Sequence, residues 1–189
     1  MTSYTSKLEA SAGYCNDRTA YSNDTTSTSL STIPPYATSS ATMYFGAYGR
    51  NANATNAGKK PSLTCPRSTV DLYRYVSGST GVSNQLKYPA ALLTADEVSF
   101  AGSGRSIASQ GSASHANSFL RSGSGFWLLS PYSRYSGGGA YGFRLSPDGR
   151  LAYDFVSYTY GVRPSISLTS GTTTVSGTGT ATDPWVVKP

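Results

Sequence analysis

The strongest constraint in this chain is the stretch from Phe126 to Leu168, where two runs of alternating residues flank Ser146-Pro147-Asp148-Gly149. Proline presets the first dihedral of a turn and glycine accepts the positive φ that follows, so these four residues are read as a turn. The turn joins Tyr141–Leu145 to Arg150–Val156 as a hairpin. Tyr141, Phe143 and Leu145 alternate with Gly142 and Arg144, and Leu151, Tyr153 and Phe155 alternate with Ala152 and Asp154. Successive strand residues face opposite sides, so the hairpin has one apolar face and one mixed face. Phe126-Trp127-Leu128-Leu129 reads as a buried strand, ended at Ser130-Pro131 because proline has no N–H to give a ladder.

The rest of the chain must fit around this sheet. With 189 residues and 38% hydrophobic content, it has material for one core and one domain, expected over residues 13–189 behind a flexible tail at 1–12. Twenty Gly, ten Pro and only 13% charged residues disfavour helix interiors and predict short strands joined by long loops. Fifteen Tyr, six Phe and two Trp are more aromatics than a disordered chain carries. The net charge of +6 is scattered, with Lys59-Lys60 the longest basic run, so nucleic-acid binding is not expected. No apolar run reaches the ~18 residues that suggest a membrane span, and the N-terminus lacks a signal-peptide pattern. Membrane insertion by this chain is therefore not expected either.

Cys15 and Cys65 match no metal-binding or redox spacing, and a disulfide between them is the expectation, with two buried thiols as the alternative. Closing that loop is worth about 4 kcal/mol in the chain-entropy picture. It would fasten residues 13–66, a segment read as irregular apart from a strand at Met43-Tyr44-Phe45. Thr94 and Glu97 form a capping box and predict a short helix ended by Gly102, so Asp96 and Glu97 are read as capping residues rather than catalytic carboxylates. A second helix is expected over Ala113–Leu120, with Phe119 and Leu120 packing inward. Gly161–Leu168 is read as a core strand through Val162, Ile166 and Leu168, joined in the core by Trp127 and Leu129. Thr172–Val175 and Trp185–Val187 are expected to close the fold.

Residues that would carry chemistry are sparse. The one histidine, His115, lies in a polar Ser/Ala segment, and no Cys/His spacing suits a metal. The nine acidic residues are dispersed and Asp148 belongs to a turn, which speaks against a Ca²⁺ site. Gly137-Gly138-Gly139 lacks the helix and Lys-Ser/Thr of a phosphate loop. No catalytic residue, metal or cofactor is expected. Six of the fifteen tyrosines, however, fall between Tyr132 and Tyr160, among Ser and Gly, and Tyr supplies large, rigid, amphipathic contact area of the kind used in antibody paratopes. Tyr132, Tyr135, Tyr158 and Tyr160, in turn-like segments, are read as contact residues; for Tyr141 and Tyr153 burial and contact stay equally open.

The order of a TADEV helix, FWLLSP at 126–131, a Gly-rich loop, a hairpin and GVRP at 161–164 resembles the C-type-lectin-like fold in its formylglycine-generating-enzyme-like branch. More closely it resembles the variable proteins of diversity-generating retroelements, found in bacteria and their phages, over Leu86–Leu168. The resemblance implies an α+β fold of two short helices, a small antiparallel sheet and long loops. It also implies a diversified contact surface, carried here by Tyr132, Ser133, Arg134, Tyr135, Ser136, Tyr141, Tyr153, Asp154, Phe155, Ser157, Tyr158 and Tyr160. The implied partner is a protein or glycan receptor on a host or target cell, met at a cell or virion surface. The paired active-site cysteines of the formylglycine-generating branch have no counterpart after Cys65, so that activity does not carry over. The alternatives are a non-diversified phage-fibre or pilin-like domain and an enzyme of the same broad fold.

Overall fold

The structure, a computed structural model, describes residues 5–21, 42–52, 60–81, 84–103, 118–135, 138–180 and 182–188. A 3-10 turn at Thr5–Lys7 precedes β1 (Gly13–Cys15), β2 (Ala20–Tyr21), β3 (Met43–Phe45), α1 (Gly46–Asn51), α2 (Ser68–Asp71), β4 (Leu72–Tyr75), β5 (Gln85–Leu86), β6 (Ala91–Leu92) and α3 (Ala95–Phe100). Then come β7 (Phe126–Arg134), β8 (Ala140–Leu145), β9 (Leu151–Phe155), β10 (Pro164–Ser165), β11 (Thr174–Ser176) and β12 (Val186–Val187). The chain is α+β, with short helices and mostly antiparallel sheets. The main sheet has the order β2-β3-β7-β8-β9, and three small sheets, β1-β4-β5, β6-β10 and β11-β12, flank it.

The expected hairpin is present. The Ser146 N–H donates to the Arg150 carbonyl at 2.8 Å and the Gly149 N–H to the Ser146 carbonyl at 2.9 Å, with Gly149 at φ 86°. Register pairs Phe143 with Tyr153 and Leu145 with Leu151, so the apolar sets of both arms share one face. Phe143, Leu145 and Leu151 are buried there with Phe126 and Leu128 of β7, beneath Ala47 and Ala52 from around α1 and Ala95 and Val98 of α3. The capping box at α3 also forms: Thr94 Oγ1 accepts from the Glu97 N–H, and Glu97 accepts from the Thr94 N–H.

Several sequence expectations are corrected. The apolar run does not stop at Ser130-Pro131: β7 continues to Arg134, and Pro131 is accommodated at irregularities in the β7–β8 register, where the ladder does not require its missing N–H. Phe126, Leu128 and Tyr132, rather than Trp127 and Leu129, face the core, since burial alternates along the strand and leaves Trp127 and Leu129 half-buried on the opposite face. Val162, Ile166 and Leu168 are exposed. Their segment is held by its backbone instead, through Trp127 N–H to Gly161 C=O, Gly161 N–H to Gly125 C=O and the two-residue β10. Phe119 is also exposed, whereas Leu120 packs against the core; the rest of the expected 113–120 helix, apart from Ser118, lies outside the described residues.

The described parts of the N-terminal third carry more regular structure and more tertiary contacts than their composition predicts. Cys15 and Cys65 are bonded, with Cα atoms 5.6 Å apart. Leu8, in the stretch read as a tail, bridges to Leu168. Helix α1 contains Gly46 and Gly49, where a Cβ would fall on the Asp17 carboxylate and on the Tyr21 ring respectively, so close packing requires both glycines. Arg50, at the end of α1, donates to Asp17 at 2.7 Å and in bidentate fashion to Asp96 at 2.8 and 2.9 Å. Asp96 is thus the anchor of a buried ion cluster and not a capping residue. Burial opposes the Arg50 charge, but hydrogen bonds and attraction to Asp96 and Asp17 outweigh it and hold the guanidinium above its ordinary pKa.

Candidate functional site: the aromatic end of the sheet

The apolar face of β8 and β9 runs on past the helices that cover it. Where α1 and α3 end, the alternation continues as Tyr141, Tyr153 and Phe155, and the rings that were core become surface. Tyr132 is the hinge between these regimes, 5% exposed and in ring contact with Phe143 at 5.0 Å below and Tyr153 at 3.9 Å beside it, nearly parallel. Beyond it, Tyr141 meets Tyr153 at 5.8 Å and Phe155 at 4.2 Å, Phe155 meets Tyr158 at 5.8 Å, and Tyr135 meets Tyr141 at 6.3 Å. Such offset and edge-to-face pairs are each worth about 0.5–1.5 kcal/mol beyond their area. The rings therefore brace one another. Four of them are open to solvent: Tyr135 at 53%, Tyr153 at 41%, Phe155 at 37% and Tyr158 at 55%.

The turn at the tip is shaped by backbone bonds. The Tyr135 N–H donates to the Gly139 carbonyl at 2.7 Å and the Gly138 N–H to the Tyr135 carbonyl at 3.0 Å, with Gly138 at φ 91°. Gly138 and Gly139, part of the run read from sequence as a flexible connection, are thus bonded back to Tyr135 at the end of β7. A side chain at Gly139 would run into the Phe155 ring, 2.8 Å from the added Cβ, so the small residue makes room for the aromatic cluster.

The expected contact residues do not all lie together. Tyr135, Tyr141, Tyr153, Phe155 and Tyr158 share the aromatic end, and Ser157 is exposed beside them. Tyr132 and Ser133 are buried, which corrects the reading of Tyr132 as a surface anchor. Arg134 pairs in register with Met43 and Ala140 and so points to the opposite face. Ser136, like His115, lies outside the described residues.

Asp154 and Tyr160 also belong to the opposite face. The Tyr160 hydroxyl donates to Asp154 at 2.6 Å, its ring lies under the Arg144 guanidinium at 4.6 Å, and Trp127 packs edge-on at 5.1 Å. Burial works against the Asp154 charge, but the Tyr160 hydroxyl, the Phe155 N–H and Arg144 together hold its carboxyl below the usual aspartate range. The same bond, with burial adding to it, pushes the Tyr160 phenol above its ordinary value. The Tyr141 phenol is raised as well, by burial and by the neighbouring Tyr135 and Tyr153.

Sequence reasoning missed the buttress from the N-terminal third. Tyr44 of β3 stacks on Tyr48 of α1 at 3.9 Å, and both meet Tyr132, at 6.0 and 5.2 Å. The only sequence signal for this was the tyrosine at the centre of Met43-Tyr44-Phe45. A separate cavity of about 210 Å³ is lined by Asp17, Arg50, Thr94, Asp96 and Glu97, but these groups are committed to the ion cluster and the helix cap. Among the described residues no group of three or more His, Cys, Asp or Glu side chains is placed to hold a metal, and no helix is long and apolar enough to cross a membrane. Compared with known proteins, the chain matches no family model, no curated protein and no solved structure.

Proposed function

We propose that this domain is a receptor-binding module without catalytic activity, built on a C-type-lectin-like scaffold and resembling the variable proteins of diversity-generating retroelements. It meets a protein or glycan at a cell or virion surface through the aromatic end of its sheet. The observation that carries this reading is the cluster of solvent-open rings, Tyr135, Tyr153, Phe155 and Tyr158, braced by buried ones. Interface energy concentrates in such side chains, and rings already held in place lose little entropy on binding. The disulfide fits an oxidising compartment.

The test uses a display library randomised at Tyr135, Tyr153, Phe155, Ser157 and Tyr158. Most members should fold and the pool should yield binders to unrelated protein targets, whereas a library randomised at Trp127, Arg144, Asp154 and Tyr160 should lose folding and yield none. Equal success from both libraries would remove the special status of the aromatic end. In the coding DNA, a template repeat differing mainly at adenines beside a reverse transcriptase would support diversification. Its absence would leave a fixed adhesin or fibre domain.

A further inference from the structure

The face of the main sheet opposite the aromatic end carries a groove of about 690 Å³, within the range of small-molecule clefts. The helices pack on the other face, so Trp127 and Leu129 of β7 are only half-buried here, and Val156 and Val162, which also line the groove, are 60% and 66% exposed. The floor has a gap at Gly142. A Cβ there would lie 3.3 Å from the Trp127 ring and 3.8 Å from Val156, so any side chain at this position would grow into the groove. Gly142 sits in ordinary strand, paired with Asp154 of β9, and its φ does not call for glycine. Glycine weakens a strand interior and often marks a place where a ligand or another backbone comes close. No backbone does so here, because the atoms nearest the added Cβ are side-chain carbons of Trp127 and Val156.

The groove shows no free charge of either sign. Arg18, which lines it, donates to Asp71 at 2.7 Å and to the Val70 carbonyl at 2.8 Å, and Arg134 is engaged within the chain as well. Among the described residues no carboxylate lines the walls. Side-chain hydroxyls offer little more: Ser130 Oγ already accepts from the Ala95 N–H, and Ser133 is buried. We infer that this groove binds a neutral, predominantly hydrocarbon small molecule, whose body fills the recess at Gly142 beside Trp127 and covers Val156 and Val162. An ion of either sign would shed its hydration with no open counter-charge to replace it, and the amides of a peptide would lose theirs in the same way. Of the lining residues only Tyr141 also belongs to the aromatic end, so the site stands whether or not that end binds a receptor.

The experiment follows Trp127 fluorescence in a Trp185→Phe variant, since the chain has two tryptophans. Decanol, decanoate and decylammonium share one apolar body and differ in charge. Decanol should give a saturable change, and both ions should bind at least about tenfold more weakly. Gly142→Val puts a branched side chain, well suited to a strand, into the recess and should weaken decanol about tenfold. Val156→Ser combined with Val162→Ser removes apolar contact at two exposed positions and should also weaken decanol about tenfold. Its melting temperature should stay within about 2 °C of the parent, which shows that the fold is kept. Either ion matching decanol, a response that does not saturate, or full decanol affinity in either folded variant would overturn the inference. So would acetyl-Leu-Val-Leu-amide binding more than about tenfold tighter than decanol, which would give the groove to a polypeptide. A dimer in sedimentation that decanol dissociates would likewise overturn it, by giving the groove to a second copy.

Discussion

Tyr132 and Tyr158 both stand in the stretch read from sequence as a contact surface, and the structure buries one and exposes the other. Tyr132 is 5% exposed and touches Tyr44, Tyr48, Phe143 and Tyr153 at centroid distances of 6.0, 5.2, 5.0 and 3.9 Å. Tyr132→Ala should leave a cavity bounded by four rings and cost about 3–5 kcal/mol, the range for a buried aromatic cut to Ala. For a domain of this size 1 kcal/mol corresponds to about 2–4 °C, so the melting temperature should fall by roughly 6–20 °C. Tyr158 is 55% exposed and, among the described residues, has one ring contact, with Phe155 at 5.8 Å. Tyr158→Ala should cost about 0.5 kcal/mol or less and shift melting by no more than about 2 °C. Thermal melts followed by circular dichroism, with urea titrations to convert the shifts to free energies, decide the matter. Melting of Tyr132→Ala within about 2 °C of the parent would place that ring at the surface and refute the division between brace and contact residue.

Other expectations follow from the same geometry. Arg50→Met should strand two carboxylates, each about 95% buried, and lower stability by about 3 kcal/mol in urea unfolding, towards the low end for a broken buried pair because the arginine itself is 21% exposed. Reduction of the Cys15–Cys65 bond, 50 residues apart in sequence, should lower stability by up to about 4 kcal/mol, read as a drop in melting temperature on adding reductant. The folded pKa of Asp154 is depressed, so its contribution should be present above the unfolded aspartate value and lost as pH falls through the lower folded one. Tyr160 has the opposite sign: its raised folded pKa gives stability that is present below about pH 10 and lost as pH rises through the folded value. In pH-resolved melts Tyr160→Phe should remove the alkaline dependence and weaken but not abolish the acidic one, because the Phe155 N–H and Arg144 still favour the Asp154 carboxylate. It should also delete one late-titrating phenol from the tyrosinate absorbance.

Local chemistry made part of this protein legible from its sequence. The Ser146–Gly149 turn, the alternation of the two hairpin arms and the Thr94–Glu97 box are specified by residues within a few positions of one another, and all three appear as read. What lay beyond local patterning was which face of each strand meets the helices. Phe126-Trp127-Leu128-Leu129 offers apolar residues to both sides, so its core face is chosen by where α1 and α3 pack. Helix α1 was illegible because two of its six residues are glycines, poor helix formers kept for their close approach to Asp17 and Tyr21. The candidate surface divided in the same way. Abundant tyrosine pointed to a binding face, but Tyr132 became core and Tyr160 went to the other side of the sheet, because burial depends on what other parts of the chain place over a ring. Only tertiary packing supplies that cover.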